Sequence, residues 1–96
     1  MNLTPEQEQE LSELAASFLT PREIAIILDV DFEEFFDEIK ANTKISRLYH
    51  KPILLRKAKI RGKILSLAEM GSPPAQTMAN EFMKEQQIAF ENDTPH

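Results

Sequence analysis

Between Lys40 and Lys63 the chain carries nine lysines and arginines and no acid. Lys44, Arg47, Lys51, Arg56, Lys57, Lys59, Arg61 and Lys63 lie in that run, interleaved with apolar positions such as Ile53, Leu54 and Ala58. Lysine and arginine hold phosphate oxygens by charge and hydrogen bonding. A cluster of them without carboxylates is the electrostatic footprint of a nucleic-acid partner. These eight residues are therefore the candidate nucleic-acid contacts. A basic stripe has two further uses, as a solvated helix face or as a surface that docks on acidic segments of the same or another chain.

Catalytic chemistry has little to draw on. The only histidines are His50 and His96, so one chain cannot assemble a histidine relay or a His-based metal cluster. The acidic pairs Glu33-Glu34 and Asp37-Glu38 do not converge at helical spacing, and a solvated face is the simpler account of them. Gly62 stands alone, without the glycine-rich loop that cradles a phosphate. No catalytic residue, metal ligand or cofactor is expected, and the chain reads as a binding protein rather than an enzyme.

The total charge of -5 conceals a sharp segregation. From Met1 to Ile39 there are eleven acids against Arg22; from Ile64 to His96 there are five acids against Lys84. The basic run separates these two acidic stretches. Ninety-six residues suit one modest core, so exposed apolar helix faces completed by further copies of the chain, a homo-oligomer, are expected. The chain has no cysteine, no apolar run of the ~18–20 residues needed to span a membrane, and no basic-then-apolar opening. A cytoplasmic protein without a membrane partner is the expectation.

The elements that position these charges read as all-α. Thr4-Pro5-Glu6-Gln7 has the form of a capping box, with proline at the first helical position. Leu11, Leu14, Ala15, Phe18 and Leu19 then make one face of a helix over about residues 5–19. Thr20-Pro21-Arg22-Glu23 repeats the signal, with Ile24, Ala25, Ile27 and Leu28 as its buried stripe. Asp31 is placed to cap a third helix with Glu34 reaching back, and Phe35, Phe36 and Ile39 face inward. Phe32 is the aromatic most apt to be exposed. Asn42 is suited to a left-handed turn in a connector over residues 41–44. Ser46 begins a long basic helix to about Met70, with a kink or a fresh start at Pro52. Gly71 ends it. Ser72-Pro73-Pro74 opens a last helix whose apolar face is Ala75, Met78, Ala79, Phe82 and Met83. The organisation expected is an acidic helix-turn-helix region over residues 1–42, a basic helix and closing helix of the same compact domain over 43–90, and a disordered tail over 91–96.

Thr20–Ile39 resembles the helix-turn-helix family. Ala25 is the small residue at the helix crossing, Asp29 holds the turn, Val30 plugs the core, and Phe35 and Ile39 anchor the second helix. Two departures bear on function. The turn position, most often glycine in that family, is Asp29. The helix that would read bases in the major groove, Asp31 to Glu38, carries five acids and none of the Arg, Lys, Asn or Gln that usually contact base edges.

Across about Phe18 to Phe82 the chain also resembles the small terminase subunits and related phage proteins. The resemblance rests on the helix-turn-helix, Ser46-Arg47-Leu48-Tyr49, and Leu65-Ser66-Leu67-Ala68 leading through Gly71-Ser72-Pro73-Pro74 to Ala75-Gln76. It implies DNA binding, oligomeric assembly and work beside a large ATPase–nuclease terminase subunit, in a bacterial host or phage-infected cell. The charge pattern leaves two functions to weigh. One is DNA binding through the basic helix. The other is a protein-interaction module in which the acidic half meets basic surfaces and Met70, Met78 and Met83 form an adaptable seam.

Overall fold

Capping signals four residues long place the starts of the first two helices. In the computed structural model, which describes residues 1–93, the Thr4 side chain accepts from the Gln7 amide and the Gln7 side chain accepts from the Thr4 amide. Thr20 and Glu23 make the same reciprocal pair. Five helices follow in order: α1 Pro5–Ala16, α2 Pro21–Leu28, α3 Phe32–Lys40, α4 Lys44–Glu69 and α5 Pro73–Asn92. No strand occurs among the described residues, so the fold is all-α, with three short helices before a long basic one.

Three of the helices end in the same way. At α1, Phe18 N–H donates to the Ala15 carbonyl and Leu19 N–H to Leu14. At α2, Asp29 donates to Ile26 and Val30 to Ala25; at α4, Gly71 donates to Ala68 and Ser72 to Leu67. This paired closure satisfies the last carbonyls and needs a left-handed residue at its centre. Phe18 (φ 64°), Asp29 (φ 59°) and Gly71 (φ 97°) take that conformation. Only the glycine does so without steric cost.

The early closure of α1 corrects the expected helix to residue 19. The chain must reverse within a few residues for Thr20 to cap α2, so Phe18 leaves the buried face and is 53% exposed. Asn42 is not left-handed, because the α3 carbonyls find other donors. Thr43 Oγ1 donates to Glu38 C=O and Ser46 Oγ to Ile39 C=O, at 2.9 and 2.8 Å. Thr43 Oγ1 also accepts from Ser46 N–H, which starts α4 at Lys44 rather than Ser46. Glu34 does not reach back to cap α3; its carboxylate lies 3.6 Å from the Met1 ammonium instead. The Asp31 cap itself is present, at 2.9 Å from the Glu34 amide.

Pro52 lies inside α4, and the helix makes no fresh start there. Proline deprives the carbonyl four residues earlier of its donor. That carbonyl belongs to Leu48, and Ser12 Oγ of α1 reaches it in a long bond of 3.5 Å. At the other end of the chain α5 runs through Glu91 and Asn92, so the expected tail begins no earlier than Asp93. Its remainder lies outside the described residues.

The chain divides into two compact units, Met1–Lys57 and Ala58–His96. Unit one holds α1, α2, α3 and the first part of α4. Its core is Leu11, Ala15, Ile24, Ala25, Leu28, Phe35, Ile39 and Ile45, all buried, with Val30, Phe32, Leu48, Tyr49 and Ile53 packed against it. Ala25 is buried on α2, and Gln7 Nε2 donates to the Leu28 carbonyl. Ile27 and Phe36, expected inward, are 47% and 37% exposed. The stripe of a two-turn helix is narrower than the sequence pattern allows for. Unit two holds the rest of α4 and α5, and among the described residues its only buried hydrophobic residue is Ala75. Ser72 stands at the N-cap of α5 without a side-chain cap bond.

Candidate nucleic-acid interface

Ile45, Leu48, Tyr49 and Ile53 recur at i, i+3, i+4 and i+8 and pin the first part of α4 to the core of unit one. Arg47 and Lys51 occupy the opposite side of the same turns and are exposed, as are Arg56 and Lys57 farther along. In unit two, Lys59 and Lys63 are exposed one turn apart. None of these six cations has an ion-pair partner among the described residues.

The other two candidates are engaged within their own units. Lys44 Nζ lies 2.9 Å from Glu8 of α1. A cation in the first helical turn opposes the partial positive charge of the helix N-terminus, and Glu8 offsets that. Arg61 donates to Glu85 Oε2 at 2.9 Å and sets its guanidinium 4.2 Å from the Phe82 ring centroid. It bridges α4 and α5 within unit two and is the least exposed of the eight.

The second helix of the helix-turn-helix presents the opposite charge. Glu33, Glu34 and Asp37 are exposed on α3, while Glu38 is half-buried and accepts from the Met1 ammonium at 3.2 Å. That contact, a hydrogen bond to a carboxylate, raises the ammonium pKa above its usual 8.0. Set against a duplex, the exposed carboxylates would face phosphates.

Two cations near α3 were not in the candidate set. Arg22 lies 4.1 Å over the Phe32 ring, and Lys40 lies 4.7 Å over Phe36 while pairing with Asp37. Phe32 and Phe36 stack at 5.5 Å, so this aromatic pair is flanked by cations on a helix otherwise acidic. Phe32, Phe36 and Lys40 are four residues apart on α3, a spacing legible in the sequence; the approach of Arg22 from α2 is not. His50 is exposed and meets Tyr49 edge-on at 5.0 Å; burial pushes the Tyr49 phenol pKa upward. Among the described residues no three His, Asp or Glu side chains converge as a metal site, and no helix is long and apolar enough to cross a membrane.

No protein-family model, curated protein or solved structure matches the chain.

Proposed function

We propose that the protein binds DNA through phosphate contacts along α4, without reading bases through its helix-turn-helix. The observation that carries this is the state of the cations. Six of the eight candidates are exposed and without an internal partner among the described residues, in a 24-residue stretch that contains no acid. Arg47, Lys51, Arg56 and Lys57 form the set in unit one, and Lys59 and Lys63 the set in unit two.

Phosphate contacts of this kind hold a duplex without specifying its sequence. The acidic face of α3 supports the same reading, because it offers base edges no arginine or amide. Binding is therefore sequence-tolerant and steeply dependent on salt. Each neutralised phosphate contributes about -0.9 to the slope of log K against log salt. The unit-one set alone gives a slope of about -4, and both sets about -5.

Fluorescence anisotropy with two unrelated duplexes, from 50 to 250 mM salt, tests this. Reversing Arg56 and Lys57 to glutamate should flatten the slope and abolish binding at the upper salt range. Absence of binding at 50 mM salt, a slope near zero, or strong discrimination between the duplexes would refute it. The resemblance to small terminase subunits extends the proposal to phage DNA packaging beside a large ATPase–nuclease subunit, for which co-purification of the two proteins is the test.

The exposed carboxylates of α3 favour a second reading, a protein-interaction module that meets basic surfaces without DNA. Light scattering across a salt series, with and without duplex, separates the two. In this second case the mass falls with salt and DNA leaves it unchanged.

A further inference from the structure

The outward face of α4 in unit one is not wholly basic. Leu54 and Leu55 are each 61% exposed, the only large exposed apolar side chains on that part of the helix among the described residues. Leu54 follows Arg47 by seven residues and Lys51 by three, and it precedes Lys57 by three. These are the spacings of side chains that share one helix face, so the leucine stands among exposed cations. Leu55, four residues after Lys51, widens the same patch.

Phosphate contacts have no use for leucine. Single apolar side chains scattered on a surface are ordinary, but two adjacent ones ringed by cations are apolar area held in water at a cost. Two surfaces could remove them from it, another protein or the stacked bases between the phosphates. Charge selects the bases. Protein interfaces are depleted in lysine and in charge at their centre. The exposed charged groups beside this pair are Arg47, Lys51, Arg56 and Lys57, in a run that holds no acid. Leucine set among lysines and arginines is what minor-groove binders use: the cations hold the backbones while the apolar side chain parts a base step.

We infer that Leu54 and Leu55 form a wedge that enters the minor groove of a bound duplex, partly unstacks one base step and kinks the DNA. The inference rests on the DNA-binding reading above and adds to it what the protein does to the shape of the duplex. Arg47, Lys51, Arg56 and Lys57 hold the phosphates on either side of the opened step.

The wedge has a firm mounting. Ile53, immediately before Leu54, packs against the core of unit one, as do Leu48 and Tyr49 a turn earlier, and α4 runs unbroken through Pro52. Unstacking needs this, since a side chain on a loose segment would yield before the bases did. The cost of parting one step and the gain from burying two leucines are of similar size. The wedge therefore alters the path of the DNA far more than its affinity. It makes no hydrogen bond to a base edge, so binding stays sequence-tolerant, with kinks falling at the flexible pyrimidine–purine steps.

Ligase-catalysed ring closure of a duplex of about 150 bp, near the persistence length of DNA, tests the kink with the full chain. Fluorescence anisotropy across the salt series measures binding separately. The parent should speed ring closure roughly tenfold, because kinks of about 20–90° supply the curvature that so stiff a fragment lacks. Leu54→Ala with Leu55→Ala should keep its helicity by circular dichroism, since neither leucine belongs to the core. It should bind with an unchanged salt slope yet return ring closure to the rate of free DNA. If that pair loses helicity, Leu54→Gln, polar and a good helix former, decides in its place. A parent that binds without speeding ring closure, or a variant that speeds it like the parent, overturns the wedge and leaves the phosphate contacts standing. A parent that does not bind DNA at 50 mM salt overturns both. Self-association of the parent without DNA that the alanine pair abolishes would mean that the leucines meet protein, and this too overturns the wedge.

Discussion

The turn at Asp29 allows a stability prediction whose sign runs against the usual effect of mutation. Asp29 is exposed, makes no side-chain hydrogen bond among the described residues, and sits at φ 59° and ψ 47° directly after α2. Two penalties meet there. A left-handed backbone costs an ordinary side chain about 1–2 kcal/mol, less for Asp or Asn, whose short polar groups tolerate it. A carboxylate at a helix C-terminus also opposes the helix dipole, at about 0.3–1 kcal/mol. Asp29→Asn removes only the charge and should stabilise by about 0.5 kcal/mol. Asp29→Gly removes both penalties, against about 0.4–1 kcal/mol of added freedom in the unfolded chain, for a net gain of up to about 1 kcal/mol. Asp29→Ala relieves the charge but loses the short polar group that tolerates the left-handed backbone, for a net loss of about 0.5 kcal/mol. In a unit this small 1 kcal/mol moves the melting temperature by about 4–8 °C. Thermal and urea unfolding followed by circular dichroism should rank the series Gly, Asn, Asp, Ala. Alanine equal to or above glycine would refute both the left-handed turn and the motif built on it.

Other consequences are open to measurement. Phe35 is fully buried at the centre of unit one; its truncation to alanine should cost about 3–5 kcal/mol, in a unit whose total stability is about 3–9 kcal/mol. Amide resonances of α1 to α3 should collapse or broaden in the NMR spectrum of Phe35→Ala, and a well-dispersed spectrum would contradict the core assignment. Glu8→Gln releases Lys44 from its 2.9 Å contact. It should steepen the DNA salt slope by about 0.9, and an unchanged slope would mean that Lys44 meets no phosphate. Folding favours the charged Met1 ammonium and the neutral Tyr49 phenol, so both have raised pKa values. Each contribution is complete below the unfolded-state value, 8.0 and 10.0 respectively, and is lost as pH rises through the folded one. The melting temperature should therefore decline from about pH 8 upward; a flat profile from pH 7 to 10.5 would contradict these contacts.

Much of the fold was legible in short stretches of sequence, because caps and closures are local. Thr4–Gln7, Thr20–Glu23 and Asp31 place helix starts from four residues each, and Gly71 places an end. Asp29 as the turn residue of a helix-turn-helix is equally local. Each relies on a backbone amide or carbonyl within a few positions of the side chain or turn that satisfies it. Phe18 escaped this reading, since its apolar character matched the α1 stripe while the chain reversal before Thr20 demanded a left-handed residue there. Whether α4 kinks or starts afresh at Pro52 was left open by the sequence, since Ser12, the donor that meets the Leu48 carbonyl, lies on another helix.

The charge segregation and the sites of the cations belong to the sequence alone, and no tertiary contact was needed to find the acid-free run from Lys40 to Lys63. What only the tertiary structure decided is which of those cations are spoken for. Arg61 and Lys63 are two residues apart in one basic helix, yet one is held by Glu85 and Phe82 and the other points to solvent. Likewise Ile24 and Met83 each sit on an i, i+3, i+4 stripe, yet one is sealed in a core and the other is exposed. Periodicity reports that a helix has an apolar side. Whether anything covers that side depends on where the other helices come to rest, a non-local outcome that no single stripe contains.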